Sequence, residues 1–250
     1  MSVIRENIIK LYIAMFQRIP SKEEIDYWYS SADKNGLIKD NKLNVVKLAN
    51  TMIDAAINSV KMYHLEDIYP QYVDYNPDNI DSVKNVINSI YQTIFNKNYI
   101  QDPAGVQYWT DKIIKDGNSL GKVVVTMENV AEDLKNNPDK YKNIFTPEEL
   151  QEALKAVDAF NLKVQAVEKI SEDLPNVKID SKTLDTLQNL IKDIYNDNSE
   201  EQVIIYIEEH KSEFINGDDY ILQHDNNDNI HIDIPQIPSL GEDNSELVMF

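Results

Sequence analysis

The apolar positions of this chain fall at helical spacing along most of its length. Val3, Ile4, Ile8, Ile9, Leu11, Tyr12, Met15 and Phe16 recur three and four apart, which predicts a first helix. Ser21 and Glu24 form a capping-box pair ahead of Ile25, Tyr27 and Trp28, so a second helix starts there. Leu43, Val45, Val46, Leu48, Met52 and Ile53 mark a third. Residues 79–96 repeat the first pattern. Asp102 and Pro103 supply an N-cap and a first-turn proline for the next helix, and residues 120–134 repeat the third. Thr146, Pro147 and Glu149 open a long helix expected to reach Leu174, where Pro175 stops it. Two more helices are expected over residues 181–195 and 199–214. The second contains the apolar run Val203, Ile204, Ile205, Tyr206 and Ile207, which also suits a strand, but its charged flanks favour helix. From residue 216 the sequence turns rich in Asn, Asp and Pro and reads as an extended tail. Within it, residues 230–234 alternate apolar and polar, predicting a short strand.

Two stretches of this pattern are copies of each other. Tyr12, Phe16, Pro20, Tyr27 and Trp28 answer to Tyr91, Phe95, Pro103, Tyr108 and Trp109, and these are the chain's only two tryptophans. Downstream, Thr51 and Met52 answer Thr126 and Met127, and Asp67, Ile68 and Tyr69 answer Asn143, Ile144 and Phe145. The offset drifts from 79 to 81 between the aromatic pairs, with the prolines 83 apart, and then to 75 or 76, so short loop insertions separate the copies. The expected fold is all-α. Two homologous three-helix units span residues 1–78 and 79–145, a further helical segment spans 146–215, and the tail spans 216–250.

Composition narrows the function. Forty-three acidic residues face 24 basic ones, a formal charge of −19, which argues against a nucleic-acid partner. The chain has no cysteine, which excludes disulfides, thiolate metal sites and cysteine nucleophiles. Its first residues keep helical spacing with interspersed charges, unlike a signal peptide, and no apolar run is long enough for a membrane span.

Recognisable catalytic frames are missing from the sequence. The four histidines, His64, His210, His224 and His231, form no helical metal-binding pair, and there is no glycine-rich phosphate loop or serine-nucleophile motif. The expectation is a non-enzymatic protein. Residues 31–42 imitate a calcium loop through Asp33, Asn35 and Gly36, but Lys42 stands where a bidentate acid is required, so a standard site is rejected. In the tail, Asp218, Asp219, Asp225, Asp228 and Asp233 would supply oxygen ligands for an irregular Ca²⁺ site; a solvated acidic tail is the alternative. The recurring aromatics Tyr12, Phe16, Trp28, Tyr91, Phe95 and Trp109 are assigned to the core of the units. For a glycan-binding surface the candidates are Tyr29, Tyr72 and Tyr75.

The copies resemble a bacterial helical-repeat family known as domain of unknown function 4214 (DUF4214). The first keeps the family's Leu11, Tyr12, Phe16, Arg18, Pro20, Tyr27 and Trp28, with Ile25 near the usual glycine. The second keeps Tyr91, Phe95, Asp102, Gly105, Tyr108 and Trp109, but has an insertion before Asp102 and Asn98 in the arginine region. The likeness covers roughly residues 4–145. It implies a surface protein, similar to the lipopolysaccharide-attaching parts of surface-layer proteins and to type I secreted adhesins. Glu246 followed by Leu247, Val248, Met249 and Phe250 looks like the terminal motif of type I secretion substrates, although their glycine-rich calcium repeats are missing. The leading expectation is therefore an extracellular attachment module that binds lipopolysaccharide or another surface glycan with help from Ca²⁺. The rivals are a self-assembling lattice or filament subunit whose tail docks on a neighbouring copy, and a cytoplasmic helical scaffold.

Overall fold

A computed structural model describes residues 3–62, 64–171 and 181–192, together with residues 202, 205 and 209. The described chain is all-α apart from one two-stranded hairpin. The first unit comprises α1 (Val3–Phe16), α2 (Lys22–Lys34), the strands β1 (Ile38–Lys39) and β2 (Lys42–Leu43), and α3 (Val45–Met62). A 3₁₀ turn, Pro70–Tyr72, leads into the second unit: α4 (Ile80–Phe95), α5 (Pro103–Ile114) and α6 (Leu120–Asn136). After another 3₁₀ turn come α7 (Pro147–Ile170) and α8 (Ser181–Lys192).

α1 is apolar nearly all round, and it is buried nearly all round: Ile8, Ile9, Leu11, Ile13, Ala14 and Met15 are fully enclosed. Such a helix is stable only at the centre of a bundle. It packs against α2, α4, α6 and α7. α4 is its counterpart, burying Val83, Val86, Ile87, Ile90, Tyr91 and Ile94. The two units pack into one continuous core, with the most extensive helix pairing between α3 and α6. α8 lays Leu184, Leu187, Leu190 and Ile191 on the first unit's side of this core. There the Gln188 amide donates to the carbonyls of Phe16, at 3.1 Å, and Ile68, at 3.3 Å, supplying a donor to the last carbonyl of α1 in a buried setting.

The sequence repeat has a local structural counterpart at each boundary. α1 and α4 are both followed by a left-handed residue, Gln17 at φ 55° and Asn96 at φ 52°. Ser21 and Asp102 both cap the next helix through the side chain, onto Glu24 N and Gly105 N. Asn44 and Ser119 both cap the third helix, at Lys47 N and Lys122 N. Thr51 and Thr126 then each donate back to a carbonyl four residues earlier.

The α3–α6 crossing is close because of Gly121. Its N–H donates to Asn50 Oδ1 at 3.0 Å. A Cβ added there would lie 2.5 Å from that oxygen and 2.7 Å from the Asn50 backbone nitrogen. Gly121→Ala is expected to cost about 1–3 kcal/mol by forcing the two helices apart, read as a lower urea midpoint at unchanged slope.

Some boundaries differ from the sequence reading. Leu43 lies in β2 rather than in the third helix, which begins at Val45. The α-helix opened by Thr146 ends at Ile170, short of Leu174. The short strand expected over residues 230–234, the helix over 199–214 beyond its few described positions, and the tail lie outside the described residues. No helix among the described residues is long and apolar enough to cross a membrane.

Candidate functional site

The motif residues of the first unit build a buried polar cluster. Phe16 packs edge-on to Tyr12 at 5.2 Å and to Tyr69 at 5.9 Å, and lies 6.2 Å from Tyr72. Trp28 Nε1 donates to the Tyr12 hydroxyl oxygen at 2.8 Å. Beside these rings Arg18 forms a forked ion pair with Glu24: Nη1 donates to Oε2 at 2.8 Å and Nη2 to Oε1. Arg18 Nε donates to the Tyr69 hydroxyl at 2.9 Å, and its guanidinium lies 5.0 Å over the Tyr12 ring. Glu24 also accepts from Ser21 N at 2.9 Å, so one carboxylate closes the capping box and neutralises the arginine. Burial is the largest single influence and lowers the Arg18 pKa, but the Glu24 charge and hydrogen bonds, with Tyr69 and Tyr12, together outweigh it and hold the value well above normal. Burial and the Glu24 charge push Tyr12 well up, and burial raises Tyr69, so both hydroxyls stay neutral.

The second unit solves the same packing problem without an ion pair. Gly105 stands at the place of Glu24, and Phe145 at the place of Tyr69. Tyr91 instead donates its hydroxyl to the cap residue Asp102 at 2.6 Å. A Cβ on Gly105 would meet that hydroxyl at 2.4 Å, so the glycine is what lets the tyrosine reach the cap. Burial, then the bond to Asp102, pushes the Tyr91 hydroxyl far up. Trp28 and Trp109 are both buried, whereas Phe95 is only partly so.

The three glycan candidates fare differently. Tyr72 is fully buried and donates to the Met15 carbonyl at 3.1 Å, which removes it as a surface contact. The surrounding Phe16 and Met15 draw its ring inward despite the polar sequence around it. Tyr75 is half-buried near Asp54; burial, with the Asp54 charge second, pushes its hydroxyl up to about 12. Tyr29 presents its ring to solvent from α2, and it joins none of the ring pairs above. Two exposed tyrosines were not anticipated. Tyr108 on α5 is 54% exposed with Lys112 Nζ 5.0 Å from its ring, and Tyr99 has its face covered by Lys84 Nζ at 3.3 Å. The Tyr108 signal was present in the sequence, because the tyrosine precedes the buried Trp109 on the same helix and must turn away from it.

Among the described residues no group of three His, Asp or Glu side chains could hold a metal ion. The calcium candidates Asp218, Asp219, Asp225, Asp228 and Asp233 lie outside them, as do the secretion-motif residues Glu246, Leu247, Val248, Met249 and Phe250. Residues 31–42 form the end of α2 and the hairpin. No protein-family model matches the chain, and neither a curated protein nor a solved structure matches it.

Proposed function

We propose that this chain is a non-enzymatic attachment module of a bacterial cell surface, binding lipopolysaccharide or another surface glycan. The twice-repeated motif carries the reading: Leu11, Tyr12, Phe16, Arg18, Pro20 and Trp28, then Tyr91, Phe95, Asp102 and Trp109, resemble a repeat of surface-attached proteins. The fold supports it by spending those residues on the core and leaving Tyr29 and Tyr108 exposed on the corresponding helices α2 and α5. An exposed tyrosine offers a flat apolar face for a sugar ring and a hydroxyl for hydrogen bonding. The acidic tail belongs to the same reading, as the source of Ca²⁺ ligands between an acidic protein and an anionic glycan. The test is binding of the full chain to smooth and rough lipopolysaccharide with Ca²⁺ and with chelator. Binding to smooth material that is lost in chelator is the expected result. Absence of binding under every condition would overturn the reading in favour of self-assembly.

A further inference from the structure

The two units differ most at the link between their second and third helices. In the second unit, α5 ends at Ile114 and α6 starts at Leu120. In the first, α2 ends at Lys34 and α3 starts at Val45, and the extra length is the β1–β2 hairpin. Its turn is Asp40–Asn41, both left-handed at φ 50° and 58°, the conformation that a two-residue hairpin turn requires. The strands pair Ile38 with Leu43 and Lys39 with Lys42. Ile38 and Leu43 pack against the core, so the alternation of the strands turns both lysines to the opposite, open face.

Like charges directly opposite each other destabilise a hairpin. Here they are retained in a chain of net charge −19. Lys34 and Lys47 flank them at the end of α2 and the start of α3; all four lysines are exposed, and none forms an ion pair with another described residue. Asp33 and Asp40 are the acids of this stretch, so it carries a local positive excess. The matching link of the second unit behaves otherwise: Lys112 pairs with Asp116 at 2.8 Å and Lys115 with Asp111 at 2.7 Å. One unit thus neutralises its lysines and the other presents them on a short hairpin beside the positive end of α3.

We propose that this hairpin binds phosphate groups on the surface glycan, with Lys39 and Lys42 as the direct contacts and Lys34 and Lys47 as flanking charges. The choice of a glycan phosphate rests on the attachment reading above; the affinity for phosphate rests on the hairpin alone. The test compares the full chain with its Lys39→Gln/Lys42→Gln variant on three probes: native lipopolysaccharide, the same material stripped of phosphate, and soluble polyphosphate. The wild type is expected to bind the first and third. The variant should bind both at least tenfold more weakly, with a shallower salt dependence and a melting temperature no lower than the wild type's, and should match the wild type on stripped material. Equal binding of polyphosphate by both proteins, or none by the wild type, would overturn the proposal. Variant-sensitive polyphosphate binding without any lipopolysaccharide binding would uphold the hairpin as a phosphate site and overturn the attachment reading and the glycan assignment. Wild-type binding to vesicles of phosphatidylglycerol as tight as to lipopolysaccharide, and lost to the same extent in the variant, would overturn the glycan assignment too.

Discussion

Replacing Glu24 with glutamine is expected to lower the unfolding free energy by about 3–5 kcal/mol, among the largest effects of any single change in the first unit. The side chains of Arg18 and Glu24 are only 8% and 6% exposed, so the lost charge cannot be replaced by water. Arg18 would keep its proton and remain buried beside Tyr12 and Tyr69 without a counter-charge. The Ser21 N–H would also lose its ionised capping acceptor. Removing both charges together should be far milder, because the cost is that of stranding a charge rather than of losing a favourable pair. An Arg18→Met/Glu24→Gln double variant is therefore expected to recover a large part of the loss. Urea titrations of the four proteins in the cycle check this, and additive single effects would show that the two groups act independently. The second unit already displays the outcome of removing the whole set. Gly105 replaces the glutamate, Phe145 the tyrosine, and the arginine region holds Asn98, yet the unit packs a core of the same kind.

This network shows where sequence reading stops. Its members were individually visible, Glu24 as a capping acid and Arg18 as a motif residue, because caps and motifs are local. Their union is not local: Arg18 meets Tyr69 across 51 positions, through the return of the chain after α3. The helices were legible for the opposite reason, since an apolar stripe of period 3.6 records burial in consecutive residues. Tyr72 was misplaced because its neighbours Gln71 and Asp74 look like a surface turn, whereas Phe16 and Met15 of α1 determine its burial. The hairpin was overlooked although Asp40–Asn41 between Ile38 and Leu43 is a turn signal, because each strand is two residues long and the alternation too brief to register. Of the candidate surface, Tyr29 could be placed by its own helix. Exposure of Tyr108 was equally readable, because the core assignment of Trp109 already turns the preceding residue outward, but it was not anticipated.

Glu128 is the other group whose importance only the fold reveals, and it makes stability depend on pH. At the offset of 75 that aligns Met52 with Met127, Glu128 takes the place of Ile53. Ile53 is 3% exposed, and Glu128, held in the corresponding core position, is 9% exposed with Oε1 lacking a hydrogen-bond partner among the described residues. Burial pushes its carboxyl up to about 8, with Lys10 of α1 only partly offsetting the effect. Lys10 is shared: burial lowers its pKa, but its bond to Glu6 and the charges of Glu132 and Glu128 raise it overall. Glu168 on α7 is raised as well, by burial and then by Glu6, so acid surrounds Lys10, the lysine whose charge reaches Glu128.

The folded protein thus holds a proton on Glu128 that the unfolded chain releases near its ordinary value of 4.5. Unfolding releases this proton between pH 4.5 and about 8, so stability is full below that window and falls as pH rises through it. At about 1.4 kcal/mol per unit, the fall reaches the order of 4–5 kcal/mol by its upper end. Lys163 on α7 works in the opposite sense at higher pH. Burial lowers it to about 8, so it adds stability as pH rises from there towards 10.5. Glu128→Gln should therefore leave the melting temperature near pH 5 little changed and raise it at pH 8. Glu128→Ile, which installs the residue of the first unit, should do the same and also remove the unsatisfied oxygen. Melting temperatures of the three proteins between pH 5 and pH 8.5 decide the matter. A wild-type profile as flat as that of the variants would mean that Glu128 is ionised in the folded protein and finds its counter-charge in Lys10.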